Sequence, residues 1–188
     1  KGRLVVRSSN NIYNQSLLAS LINKNGSKSA LKWAKAVRTN MARKPRGNDR
    51  DQARAVASGV ADLAVINTYY LGLLANSSEK EDREVAKKLN IFFPNQDENG
   101  THINISGGAV TASSKNKEDA TRFLEFLTEE ENQKIFSEAN YEYPLDYNNS
   151  SLDTHVEWGK FKADNIALSI LGDNNAEAVK IFDLAGWE

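Results

Sequence analysis

The 188 residues carry 24 Lys and Arg against 25 Asp and Glu, a formal net charge of −1, so there is no basic excess to neutralise nucleic-acid phosphates or anionic lipid. Hydrophobic residues make up 40%, enough to build a core, and no apolar run approaches the roughly 18 residues that a membrane helix requires. Cysteine is absent and histidine occurs twice, as His102 and His155, which removes disulfides, thiolate metal sites, cysteine nucleophiles and histidine-rich metal sites.

Lys1-Gly2-Arg3 leads straight into the β-branched run Leu4-Val5-Val6, with no initiator Met and no signal peptide, so the chain is expected to be the remainder of something longer. The polar cluster Ser8-Ser9-Asn10-Asn11 follows. From Ile12 the pattern turns helical: Leu17, Leu18, Leu21 and Ile22 form one stripe that ends near Asn25-Gly26. Ser29 to Asn40 predicts a second amphipathic helix carrying Leu31, Trp33, Ala34 and Val37. Pro45-Arg46-Gly47 is a turn, and Asn48 or Asp49 caps a third helix through Ala53, Val56 and Ala57, stopped by Gly59. Ala61-Asp62-Leu63-Ala64-Val65-Ile66 then reads as a strand covered on both faces, which makes Asp62 a structural residue.

Asn67-Thr68 is the expected cap of a helix that begins at Tyr69-Tyr70. After a charged surface stretch from Glu79 to Lys88, strands are predicted at Ile91-Phe92-Phe93-Pro94 and from His102 to Val110, with a turn over Asn95 to Gly100. Lys117 to Ser137 predicts one long helix with Ala120, Phe123, Leu124, Phe126, Leu127 and Ile135 on its buried side. Helical stretches around His155 to Phe161 and Asn175 to Leu184 complete the chain. Strands alternating with helices imply an α/β fold with a mainly parallel sheet.

Two of these strands run through a polar cap into tyrosine: Arg7-Ser8-Ser9-Asn10-Asn11-Ile12-Tyr13, and Ile66-Asn67-Thr68-Tyr69-Tyr70. In open α/β sheets, ligands bind beyond the carboxyl ends of strands, where helices begin, and all three phenols fall there. Neighbours in a strand point to opposite faces, but in the first turn of a helix Tyr69 and Tyr70 are only about 100° apart and can reach one ion beyond the helix end. A phenol, with an ordinary pKa of about 10, is a poor anion at neutral pH. A trivalent cation reverses that, because a bound metal is the largest local charge and deprotonates its ligands. Hard phenolate oxygen suits hard ferric iron. A tyrosine at a helix start is more often a packing residue with its hydroxyl in water, so the residues by themselves leave both roles open.

Arg7-Ser8-Ser9-Asn10-Asn11-Ile12-Tyr13-Asn14-Gln15-Ser16 closely resembles the segment that brings the first C-terminal-lobe tyrosine in periplasmic ferric-iron-binding proteins of the cyanobacterial type. Asn67-Thr68-Tyr69-Tyr70-Leu71-Gly72 resembles the tyrosine pair of that family. So do Gly47-Asn48-Asp49, Ala55 to Asp62, Ile105-Ser106-Gly107-Gly108-Ala109 and the ending Ala185-Gly186-Trp187. The resemblance implies a periplasmic-binding-protein-like fold of the two-lobed class II type, a receptor rather than an enzyme. It further implies Fe³⁺ as the transported ligand on Tyr13, Tyr69 and Tyr70, and an ABC transporter permease as the partner. Implied domains are a C-terminal lobe body over 1–98, a hinge strand and N-lobe-type helix over 99–145, and helices returning to the C-terminal lobe over 146–188. An N-terminal lobe with a His/Tyr pair would supply further ligands and is absent from this chain. Without its partner strands, the hinge and N-lobe-type segment is expected to expose apolar surface. Leu73 departs from similar proteins, which often carry Arg there. A monomer facing the periplasm, or a thylakoid compartment, is implied, with no nucleic acid among its partners.

Elsewhere, His102 reads as structural or solvated and His155 as a surface residue. Asn10, Asn11, Asn14 and Asn67 read as caps first and as partners of the phenolates second. Tyr141, Tyr143 and Tyr147 read as packing around Pro144. Arg43, Lys44 and Arg46 form a small basic cluster, and Glu129-Glu130-Glu131 an acidic helix face. The alternatives are a receptor of the same fold for a polyamine, sugar or oxyanion, and a hydrolase. No nucleophile elbow, metal-binding histidine pair or phosphate loop supports the last.

Overall fold

In the computed structural model, which describes residues 1–146 and 158–188, Asn11 caps the long first helix with its side chain, accepting from the Tyr13 and Asn14 N–H groups. That helix, α1 (Ile12–Asn40), breaks at Gly26, whose φ of 76° only glycine adopts cheaply, so the two predicted helices meet there at a kink. Before it lies β1 (Leu4–Val5), which pairs in parallel with β2 (Leu63–Ala64) in the register Leu4 with Leu63 and Val5 with Ala64. Between the strands, α2 (Asp49–Ala57) starts on a capping box in which Asn48 and Asp51 exchange side-chain and backbone hydrogen bonds. After β2 come α3 (Tyr69–Ala75) and α4 (Lys80–Ala86).

The chain divides into two units, Lys1–Asn104 with Phe161–Glu188, and Ile105–Lys160. The first holds the hydrophobic core. The α1 stripe of Leu18, Ala19, Ile22, Ala30 and Ala34 packs with Val6, Met41, Ala178, Ile181, Phe182 and Trp187. Most of the last four sit on α8 (Asn175–Ala185), preceded by the short α7 (Ser169–Asp173), which the periodicity did not suggest. Trp187 stacks near Trp33 at 6.1 Å, meets Phe182 edge-on at 4.9 Å, and donates its indole N–H to the Arg7 carbonyl at 3.0 Å. The far end of the chain is thereby fastened to the segment leaving β1.

Several expectations are corrected. The run from Ala61 to Ile66 is not a strand covered on both faces: only Leu63–Ala64 pairs, and Leu63 is 61% exposed. Asp62 lies exposed in an ion pair with Arg3. Neither Ile91 to Pro94 nor His102 to Val110 forms a strand. An extended segment becomes a strand only where a neighbour accepts its N–H groups, and here a single bridge, Thr101 to Ala163, is made. Gly100 sits against that bridge, with φ of 93° and the Lys162 carbonyl oxygen 2.6 Å from where a Cβ would be.

In the second unit the predicted single helix is two, α5 (Lys117–Leu127) and α6 (Glu130–Asn140), separated at Thr128-Glu129. Glu130 and Glu131 fall in the first turn of α6, where the helix dipole favours them. The side predicted to be buried is open: Phe123, Phe126 and Ile135 are 59%, 50% and 62% exposed. Gly108 allows a close approach, since a Cβ there would stand 2.5 Å from Leu124 Cδ2. Pro144 is buried, and the Tyr143 ring lies 5.9 Å from Trp158. Tyr147 and His155 lie outside the described residues, as does most of the helix predicted around His155 to Phe161.

Burial decides which aromatic residues carry stability. Phe182→Ala, at a site 1% exposed, is expected to cost about 3–5 kcal/mol. Phe123→Ala in the open α5 is expected to stay within about 0.5 kcal/mol. Urea denaturation midpoints of the two variants check the contrast.

Candidate functional site

Parallel pairing makes β1 and β2 end at the same edge, so the segments leaving them, residues 6–13 and 65–70, are delivered side by side. Tyr13 stands in the first turn of α1 and Tyr69 and Tyr70 open α3. The hydroxyls of Tyr13 and Tyr69 are 3.2 Å apart, and the Tyr69 and Tyr70 rings stack with centroids 4.1 Å apart. All three side chains are half-buried. Burial, and then the hydrogen bond with Tyr13, push the Tyr69 phenol well above its ordinary pKa. Burial also raises Tyr70; the Tyr69 hydroxyl works against this, and the Asp49 carboxylate adds to it. Both shifts hold the Tyr69 and Tyr70 phenols neutral at ordinary pH.

The asparagines around the cluster hold backbone in place. Asn14, 5% exposed, donates its amide to the carbonyls of Arg7 and Ser8 at 3.0 Å each, pinning the turn between β1 and α1. Asn10 accepts from the Ser8 hydroxyl. Asn67 accepts from Asn104 at 2.9 Å, and Thr68 makes no capping hydrogen bond, so α3 starts without the expected cap. His102 is engaged with Ser16, its Nε2 2.9 Å from the hydroxyl, and burial lowers its pKa.

Sequence reasoning missed one pair beside the phenols. Asp49, 2% exposed, is held by Arg7 at 2.6 Å, and its charge reaches Tyr70. The only sign of it was Asp49 at the start of a helix, where a cap already explained an acid. Among the described residues, no group of three His, Cys, Asp or Glu side chains is placed to hold a metal.

The sequence profile of the bacterial extracellular solute-binding proteins matches residues 1–165. The chain belongs to that family. Iron uptake protein A1 of Synechocystis sp. is 45% identical over all of this solute-binding protein and 52% of its own length. Among solved structures, a Trichodesmium protein in complex with iron and citrate superposes with a TM-score of 0.96 at 49% identity, covering 100% of this chain and 60% of that one. The ferric binding protein from Campylobacter jejuni does so at 0.92 and 50% identity, again with 60% of its chain covered. The chain spans about half the length of the curated relatives it matches. The α/β periplasmic-binding-protein-like fold class expected above is thus borne out, with a sheet reduced to one parallel pair among the described residues.

The raised Tyr69 pKa fixes a sign. The unfolded phenol titrates near 10 and the folded one higher, so burial of the neutral form stabilises fully below about pH 10 and is lost progressively above it. Denaturation midpoints of the solute-binding protein should hold up to about pH 10 and fall as pH rises above it. Tyr69→Phe should flatten part of that fall, leaving the shares of Tyr70, also raised by burial, and of Tyr143, whose phenol burial pushes up to about 12.

Proposed function

We propose that this solute-binding protein takes ferric iron as its cargo on Tyr13, Tyr69 and Tyr70 and hands it to an ABC-type importer. The observation that carries this is the 3.2 Å separation of the Tyr13 and Tyr69 hydroxyls, with Tyr70 stacked beside them. A hard cation bound about 2.0–2.1 Å from each oxygen in octahedral geometry sets neighbouring oxygens roughly 2.9 Å apart. The Tyr13 and Tyr69 phenols therefore need only a small inward movement to share one ion. That spacing is long for a hydroxyl–hydroxyl hydrogen bond, whose usual length is about 2.7–2.8 Å. The names of the relatives, an iron uptake protein and a ferric binding protein, support the same cargo.

The chemistry follows from charge. Three phenolates neutralise Fe³⁺, and each must lose a proton to bind, so uptake releases protons. The Arg7–Asp49 pair holds a carboxylate behind Tyr70 without adding net charge. Three donors leave the other positions of a six-coordinate ion to water, a carboxylate chelator or donors from outside this cluster. We assign 1–98 to the body of the tyrosine-bearing lobe, 99–145 to a hinge and part of the other lobe, and 146–188 to the returning helices. The exposed Phe123, Phe126 and Ile135 suit a surface that more chain covers. The role is receptor-like rather than catalytic, on the periplasmic side, with the chain acting as a monomer.

Titration with ferric citrate, followed by visible absorption, is the direct test. A broad phenolate-to-iron band should grow to one iron per chain and weaken in Tyr13→Phe, Tyr69→Phe and Tyr70→Phe. Absence of the band, in this chain and in a longer one that restores the relatives' full length, would put a polyamine, sugar or oxyanion receptor in its place.

Proton release gives a second, independent readout. The apparent affinity should rise about tenfold per pH unit for each phenol deprotonated, and Tyr69→Phe should lower that slope by about one proton. A slope unchanged in the variant would exclude Tyr69 as a ligand.

A further inference from the structure

A second concave surface of the same unit carries the basic cluster that the tyrosine chemistry leaves unused. A hollow of about 630 Å³ opens beside α2, bounded by Arg43, Arg46, Arg54 and Lys88 and by one acid, Asp51, with Val60 and Val85 among its apolar walls. In a chain of net charge −1 this is a local concentration of positive charge. The nearby acids are already engaged. Asp51 accepts from the Asn48 N–H at 2.9 Å and pairs with Arg54 at 3.2 Å. Asp82 pairs with Arg54 at 2.8 Å, and Glu84 with Lys87 at 2.7 Å. Among the described residues, Arg43, Arg46 and Lys88 have no acidic partner within ion-pair distance.

Arg43 is held in place by neutral oxygens. Its guanidinium donates to the Arg46 carbonyl at 3.2 Å and to Gln52 Oε1 at 2.9 Å. Gln52 is completely buried and is itself fixed, donating to the carbonyls of Arg46 and Asn48 at 2.7 and 2.9 Å. The fold thus holds two arginines close together, and burial, followed by the charge of Arg46, lowers the Arg43 pKa. A carboxylate entering the hollow relieves that repulsion and suits the forked geometry of guanidinium.

Charge alone does not describe the surface. Val60 is 49% exposed. A free phosphate or small carboxylate would meet the cations and leave the apolar wall in water, whereas a peptide with both acidic and apolar side chains covers both. We propose that this hollow docks an acidic segment of a partner protein, its carboxylates on Arg43, Arg46 and Lys88 and its apolar side chains on Val60 and Val85. Iron binding at the phenols plays no part in this contact, and either can fail without the other.

The test is fluorescence anisotropy of a short dye-labelled peptide of repeating Leu-Glu-Glu, mixed with the full chain at low salt. Saturable binding that weakens steeply with added salt is expected. The double variant Arg46→Gln with Lys88→Gln removes two unpaired surface charges and should weaken binding about fivefold to tenfold, with an unchanged denaturation midpoint. Lys28→Gln with Lys32→Gln, exposed on α1, should leave binding unaltered. Three results would overturn the assignment: no binding at low salt, equal loss in the two double variants, or equal affinity for a peptide with Gly in place of Leu. The last would make the hollow a simple anion site.

Discussion

The parallel pairing of Leu4 with Leu63 and of Val5 with Ala64 is the constraint on which the rest of the site depends. It is short, yet it sets direction: both strands run the same way, so the chain leaves both at one edge. Each exit then turns at once into a helix. Had the pair been antiparallel, Tyr13 and Tyr69 would have been delivered to opposite ends of the sheet. The pairing is supported from both sides. Met41 bridges to Leu4, the α1–α8 core packs on Val6, and the Trp187 indole holds the Arg7 carbonyl just beyond β1.

From that arrangement the electrostatics follow. The half-buried Tyr69 and Tyr70 phenols resist ionisation chiefly because burial penalises the anion, and at Tyr69 the neighbouring phenols add to the penalty. On the proposed role, a trivalent cation would supply the opposing charge and turn that crowding to advantage. Asp49 illustrates the balance. An unpaired buried carboxylate beside three potential phenolates would be severely unfavourable, and Arg7, donating at 2.6 Å, removes most of that cost. The buried pair also ties the exit of β1 to the start of α2.

Reading along the chain recovered the parts that local physics controls. The cap at Asn11, the breaks at Gly26 and Gly59, the cap at Asn48 and the stripe of α1 are all written within a few residues of where they act. The phenols were also reachable, since a strand running through polar residues into tyrosine can be recognised without knowing the fold. What escaped was set by distant residues. Leu63 is apolar in a run that looks buried, but nothing among the described residues covers it. Phe123 and Phe126 show the period of a buried face and stand in the open, as the resemblance implied for this segment and the period did not. The Arg7–Asp49 contact joins residues 42 positions apart. No local pattern distinguishes an acid that caps a helix from one that also closes an ion pair across the unit.

Resonance Raman spectroscopy of the ferric complex, excited within its visible band, measures the central claim most directly. Enhanced phenolate ring modes, with intensity falling stepwise in Tyr13→Phe, Tyr69→Phe and Tyr70→Phe, are the expected result. Iron retained without those modes, or modes unchanged by all three substitutions, would contradict phenolate ligation at this cluster.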